Sequence, residues 1–295
     1  MALREPDSRD VLIGIGFMCL AVCALPVLNA SAKVLVLSYP VIQVIWARFA
    51  GHLLYVLIAF LPRHGWRVFK SRSPIRQLVR STLLLASTVL FVNALPHLPL
   101  ATLSAITFTA PFIVTALSVP MLGERVGVRR WSAVAVGFIG ALIIIRPGTE
   151  AAHWAMLLVI GSASCYAVYQ ILTRQLAAVD RPETTMVYTA IVGTIGMSLV
   201  LPAHLTWPTE SLHWLLFAGL GLFGGLGHIF VVKALQYGPA SVIAPLVYAE
   251  LLGATLLGYA IFGDFPDAMT LLGAAVIIAC GLYIAYREGV RRREG

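Results

Sequence analysis

Between Ser81 and Met121 the chain carries no Asp, Glu, Lys or Arg. Only the cluster Pro96-His97-Leu98-Pro99 interrupts that stretch, so it reads as two membrane-crossing lengths joined in a hairpin. The same grammar runs from end to end. Splitting at charges, prolines and short polar clusters gives ten apolar spans, at residues 11–31, 41–61, 77–95, 100–121, 131–146, 153–173, 184–201, 211–233, 241–262 and 268–286. A helix needs about 20 mostly apolar residues to cross the hydrocarbon core, and these spans sit near that length. Apolar residues make up 59% of the 295 positions and charged ones 12%, with a mean hydropathy of +0.89. A water-soluble fold of this size lacks the interior to hide so much apolar side chain. A cytosolic enzyme, a nucleic-acid binder and a disulfide-stapled secreted module are excluded. The expected class is an all-α integral membrane protein with the lipid bilayer as its solvent.

The charges give orientation. The run Val11–Ala32 has no small-x-small cleavage site and is expected to remain as the first span. An even number of spans puts both termini on one side. With the N-terminus placed in the cytoplasm, eighteen Lys and Arg fall on the inner side, including six from Arg63 to Arg80. Lys33 and Arg146 alone fall outside, and Arg48 lies within a span. That asymmetry is the positive-inside signature of a cytoplasmic or inner membrane protein. It also explains the net charge of +8 without a nucleic-acid partner. Cys19, Cys23, Cys165 and Cys280 all lie in apolar segments, which predicts neither disulfides nor a metal site.

Sliding the sequence by 140 positions aligns Leu61-Pro62 with Leu201-Pro202, Ala94-Leu95 with Ala234-Leu235, Pro99 with Pro239, and Gly123-Glu124 with Gly263-Asp264. Spans one to five then map onto spans six to ten. Because five is odd, the second copy enters the membrane inverted, an architecture common among secondary transporters. The expected organisation is a first five-helix repeat at 1–148 and a second, inverted one at 149–295, around a central cavity. These two halves, the basic inner loops, Arg48, and Leu122-Gly123-Glu124-Arg125 after span four resemble the EamA-type members of the drug/metabolite transporter superfamily. The second half departs from the pattern, with Gly263-Asp264 in place of Gly-Glu and no arginine matching Arg48. Within the family the chain is similar to bacterial amino-acid exporters, including the aromatic amino-acid group. That resemblance implies efflux of amino acids and related small organic compounds.

Charge within a span costs several kcal/mol unless it faces a cavity or a partner, so such residues are the sharpest functional candidates. Arg48, eight residues past Pro40, lies about 12 Å into the bilayer, with His52 and Tyr55 following at helical spacing. It either attracts a carboxylate or ties down backbone carbonyls. Glu250 is the one acid inside a span; it suits a substrate ammonium, a proton, or a hydrogen-bonded structural role. Span six carries Ser162, Tyr166, Gln170 and Thr173 as a polar stripe, which must face a cavity or other helices. Of these, Tyr166 and Gln170 suit a ring-stacking, hydrogen-bonding pocket. In span eight the Gly221-to-Gly225 spacing predicts close helix packing, with His228 beside it as a candidate pocket group. Asn29, Trp46, Asn93 and Tyr248 complete the candidate list, and Pro26, Pro111 and Pro245 mark expected kinks.

There is no Walker-type G-x-x-x-x-G-K-[ST], no H-E-x-x-H and no G-x-S-x-G. ATP-driven pumping and the usual hydrolase chemistries therefore have no sequence support, and no catalytic residue, metal or cofactor is expected. The reading is a secondary transporter with a small-molecule substrate, working by alternating access as a monomer. Its rivals are an exporter of another metabolite or a cationic drug on the same fold, a membrane-embedded enzyme, and a non-transporting membrane scaffold.

Overall fold

The computed structural model describes residues 8–123, 126–150, 152–177, 179–203, 205–237 and 240–294. Glu124, Arg125, Pro239 and the side chains of His228 and Pro245 lie outside the described residues. Every regular element among those described is helical: α1 (Ser8–Val36), α2 (Val41–His64), α3 (Pro74–Ala94), α4 (Leu100–Thr107), α5 (Ala110–Leu122), α6 (Val128–Ile145), α7 (Ala155–Leu176), α8 (Pro182–Ser198), α9 (Ser211–Tyr237), α10 (Ala240–Ile243), α11 (Glu250–Phe262) and α12 (Ala268–Glu294). Short 3-10 segments at Gly65–Phe69, Leu201–Ala203 and Ala244–Ala249 fill three of the connections.

Seven helices are long and apolar enough to cross a membrane, α4 and α5 together counting as one. Leu246–Phe262 and Ala268–Ile284 are shorter apolar helices. Proline starts several elements where its missing N–H costs nothing: Pro40 and Pro99 precede α2 and α4, and Pro74 and Pro182 open α3 and α8. Gly123 and Gly263 end α5 and α11 in the left-handed region, at φ 66° and 72°. Their N–H groups reach back to Val119 O and Tyr259 O at 3.1 and 3.0 Å. The aligned glycines of the two sequence halves are therefore matching helix C-caps.

Two sequence expectations change, and the kinks expected at Pro111 and Pro245 lie at full breaks in the helices. Spans four and nine are not continuous. One breaks between Thr107 and Ala110, the other through the 3-10 segment Ala244–Ala249 before Glu250. The breaks lie at corresponding positions, since Ala110 and Glu250 are 140 apart, and each is associated with a proline (Pro111, Pro245) that removes a ladder donor. Arg80, counted among the inner-loop cations, lies inside α3 with only 3% of its surface exposed. Lys33, placed in an outer loop, lies in α1 and is also buried.

The packing is paired. α1 lies against α9 as α3 lies against α7; α2 meets α9 as α3 meets α8; α1 meets α11 as α5 meets α7. Across the centre α2 packs on α8 and α6 on α12. Closest approach falls at glycine, as the Gly221–Gly225 spacing predicts: a Cβ on Gly51 of α2 would stand 2.7 Å from Gly221 Cα of α9. α4 runs through the middle, with Leu100 to Ile106 all buried. The outward faces are apolar instead, with Leu54, Ile58, Leu157, Leu215 and Leu256 exposed, as a lipid-facing surface requires.

Candidate functional site

A cavity of about 690 Å³ runs from one end of the bundle to its middle. Its mouth is formed by Arg63 near the end of α2, Ala177 after α7, Asp180 and Glu183 at the entry to α8, and Lys233 late in α9. Its walls carry Phe49, Tyr55 and Phe60 from α2, Arg80 and Thr88 from α3, Tyr169 and Thr173 from α7, and Thr185 and Thr189 from α8. Arg48 and His52 line it deeper in α2. The wall thus holds four cations and two acids.

The two arginines differ. Arg80 is fully engaged: Nε donates to Thr173 Oγ1 at 2.5 Å, one terminal nitrogen to Thr189 Oγ1 at 2.8 Å and to the Thr185 carbonyl at 3.3 Å, and the other to the Tyr169 hydroxyl at 2.7 Å. Its guanidinium also lies 4.3 Å from the centre of the Tyr169 ring. This one side chain ties α3 to α7 and α8. Next to it, Gln77 donates to Asp180 at 2.9 Å and to Thr185 Oγ1 at 3.0 Å. Asp180 also accepts from Ser71 and from the Arg72 N–H. Burial pushes the Asp180 carboxyl up, but these hydrogen bonds prevail and hold it below the usual carboxylate range.

Arg48 makes no hydrogen bond or ion pair with any described residue, although it lies at mid-bundle. The Nε2 of His52, one turn on, is buried and unpartnered. Tyr166 stacks on Tyr169 with ring centres 5.5 Å apart and stands within electrostatic range of Arg48, Glu250 and Arg80. Arg48 and Glu250 do not pair with each other, and neither Glu250 nor Tyr166 lines the cavity.

The other sequence candidates fall elsewhere. Trp46 donates from Nε1 to Ser198 Oγ at 2.8 Å, across the seam between α2 and α8. Asn93 bonds back to the Val89 carbonyl of its own helix at 2.7 Å. Tyr248 packs edge-on against Phe108, with centres 5.0 Å apart. Asn29 and Gln170 are partly buried and do not line the cavity. Sequence reasoning missed Arg80, Tyr169, Thr189 and Asp180. The available signal was the stripe Gln77, Arg80, Ser81, Leu84, Thr88, which keeps helical spacing and is buried throughout.

At the opposite end of the bundle, Lys33 Nζ donates to the Leu98 carbonyl at 3.0 Å and pairs with Asp264 at 2.8 Å. It also lies 4.5 Å from the centre of the Phe262 ring. The connection after α3 and the end of α11 are both fastened to α1 there.

Comparison with known proteins gives this arrangement a family. The sequence model of the EamA-like transporter family matches residues 12–146 and again 153–287. A riboflavin transporter of Rhizobium johnstonii is 31% identical over 99% of this chain and 97% of its own. An S-adenosylmethionine uptake transporter of Rickettsia felis is 29% identical over 95% of each chain. The pseudopaline exporter CntI of Pseudomonas aeruginosa is 26% identical over 90% of this chain and 94% of its own. A crystal structure 20% identical in sequence superposes over 94% of this chain and 97% of that one, with a TM-score of 0.65, a likeness of fold.

Proposed function

The chain belongs to the EamA-like transporter family, and from that premise we propose that it is a secondary transporter exporting carboxylate-bearing aromatic solutes, the aromatic amino acids being the simplest. The observation that carries the reading is Arg48. A guanidinium at mid-bundle without a partner among the described residues leaves its donors for a ligand, and a planar carboxylate matches the fork. The rings of Tyr55 and Phe60 on the same wall supply faces on which an aromatic body stacks. The excess of cations on that wall disfavours a cationic drug.

The architecture in this proposal is ten membrane-crossing helices. α4–α5 and α10–α11 each form one broken span, and the halves 1–148 and 149–295 are inverted repeats. The paired packing and the two corresponding helix breaks support it. With both termini in the cytoplasm of a cell whose inner membrane holds the protein, the cavity faces inward and loads from the cytoplasm. In this proposal the protein functions as a monomer.

A second reading draws on size. The volume of about 690 Å³ lies in the range that encloses drug-sized ligands, more than a free amino acid fills. A flat heteroaromatic solute, as named for the Rhizobium johnstonii relative, suits it as well. Exchange of labelled tryptophan, phenylalanine, riboflavin and S-adenosylmethionine across proteoliposomes separates the two. Saturable exchange of the aromatic amino acids, with KM raised in Arg48→Ala, is the expected result. Exchange of riboflavin alone transfers the assignment to the second reading, and no exchange of any compound by folded protein refutes both.

A further inference from the structure

Two places in the bundle abandon regular helix at mid-membrane depth, and they correspond at the 140-residue offset: Thr107–Ala110 and Ala244–Glu250. In the first the sequence places Ala110, and in the second Glu250. The break belongs to the fold in both halves, whereas the charge belongs to one. Its carboxylate accepts no hydrogen bond and forms no ion pair with any described residue. An acid inside a bilayer with no partner among the described residues is costly, and a structural role would supply partners such as those Arg80 has in full. Broken helices in corresponding halves are where secondary transporters bind coupling ions.

Glu250 also stands apart from the solute cavity, whose lining includes Arg48 but not Glu250 or Tyr166. Tyr166 stands within electrostatic range of both charges. We propose that Glu250 is a proton-binding site distinct from the solute cavity, taking a proton in one access state and releasing it in the other. Proton movement is thereby coupled to solute movement through Tyr166. This rests on the transporter reading above.

The ionisable groups around α11 are few. Tyr166 faces Glu250 from α7. On α1, Lys33 serves Asp264 at the far end of α11, and Cys19 and Cys23 are exposed. On α12, Cys280 faces Tyr248. α4 and α10 contribute no ionisable side chain. On the cavity side the competing titratable groups are His52, beside Arg48, and the acids Asp180 and Glu183 at the mouth.

The test uses the full-length protein in vesicles containing a trapped pH dye. Addition of an exchanged solute is expected to move protons in wild type and to move none in Glu250→Gln. Glu250→Asp is expected to restore the movement. The exchange rate should vary at least tenfold between pH 5.5 and 8 in wild type and become flat in Glu250→Gln. Arg48→Ala should instead raise KM and keep the pH profile. Solute-driven proton movement that survives in Glu250→Gln, or a pH profile that vanishes with His52→Gln, overturns the proposal. The infrared band of a protonated carboxylic acid, followed against pH in wild type and Glu250→Gln, reads the site with no solute present. Absence of a Glu250-dependent band overturns the proposal even where every solute fails, an outcome that separates this site from the transport assignment.

Discussion

Arg48 and Arg80 carry the same charge on the same cavity wall, and their alanine variants should behave in opposite ways. Arg80→Ala removes four hydrogen bonds to α7 and α8. Polar contacts between membrane helices average about 0.6 kcal/mol, which gives about 2.4 kcal/mol for the four. The lost Tyr169 contact at 4.3 Å adds about 1 kcal/mol. Little further penalty follows, because Thr173 and Thr189 keep their own bonds to Tyr169 O and Thr185 O at 2.7 and 2.9 Å. Arg80→Ala should therefore destabilise the protein by about 3 kcal/mol, whereas Arg48→Ala, with no partner to lose, should cost under about 1 kcal/mol. Thermal unfolding in detergent, with size-exclusion to confirm the folded state, measures both. Transport should rank them the other way per folded molecule, with Arg48→Ala the greater loss. Equal destabilisation by the two variants would refute the distinction between a fastening arginine and a ligand-facing one.

Two further outcomes follow from the geometry. Gly51→Ala places a Cβ against Gly221 backbone and should cost about 1–3 kcal/mol. Gly16→Ala, with open space around it, should be neutral or stabilising in the same melts. Outside the membrane, hydrogen bonds from Arg146 and Thr270 hold the Asp267 carboxyl down at about 2, below its ordinary value of 3.8. A carboxyl depressed on folding contributes stability that is present above pH 4 and is lost as pH falls through about 2. Because its side chain is 54% exposed, solvent screening limits that to under about 1 kcal/mol. Melting temperatures of wild type and Asp267→Asn should differ slightly at neutral pH and converge near pH 2.

Much of this fold is written in one dimension, because crossing a bilayer requires apolar length and the gaps between lengths are visible. The helix starts at Pro40, Pro99 and Pro182 and the ends at Gly123 and Gly263 were legible for the same local reason. Rotation of a helix about its axis was not. The stripe of Ser162, Tyr166, Gln170 and Thr173 was evident in span six, yet of these only Thr173 lines the cavity, together with Tyr169. Periodicity identifies a polar face only coarsely, and neighbouring helices decide which part of it meets water. Arg80 was hidden by counting, since an arginine early in a helix looks like part of the basic loop before it. Its burial depends on Thr173, Thr185 and Thr189, about a hundred residues away. Arg48 was legible because it lies deep in a span.

The fastening of Lys33 to Asp264 and Leu98 has a consequence for the resting balance of the molecule. In an inverted-repeat transporter the two access states arise when the halves exchange conformations, and identical halves would populate them equally. Here the position matching Lys33 is Thr173, held by Arg80 rather than by an acid. The ion pair at this end of the bundle joins α1 to the residue just after α11, and opening that end must break it. In the alternating-access scheme proposed above, that pair weights the idle protein toward keeping its cavity open at the opposite end. A solute arriving from that side would meet a site already formed, and one arriving from the other would have to wait for the latch to open.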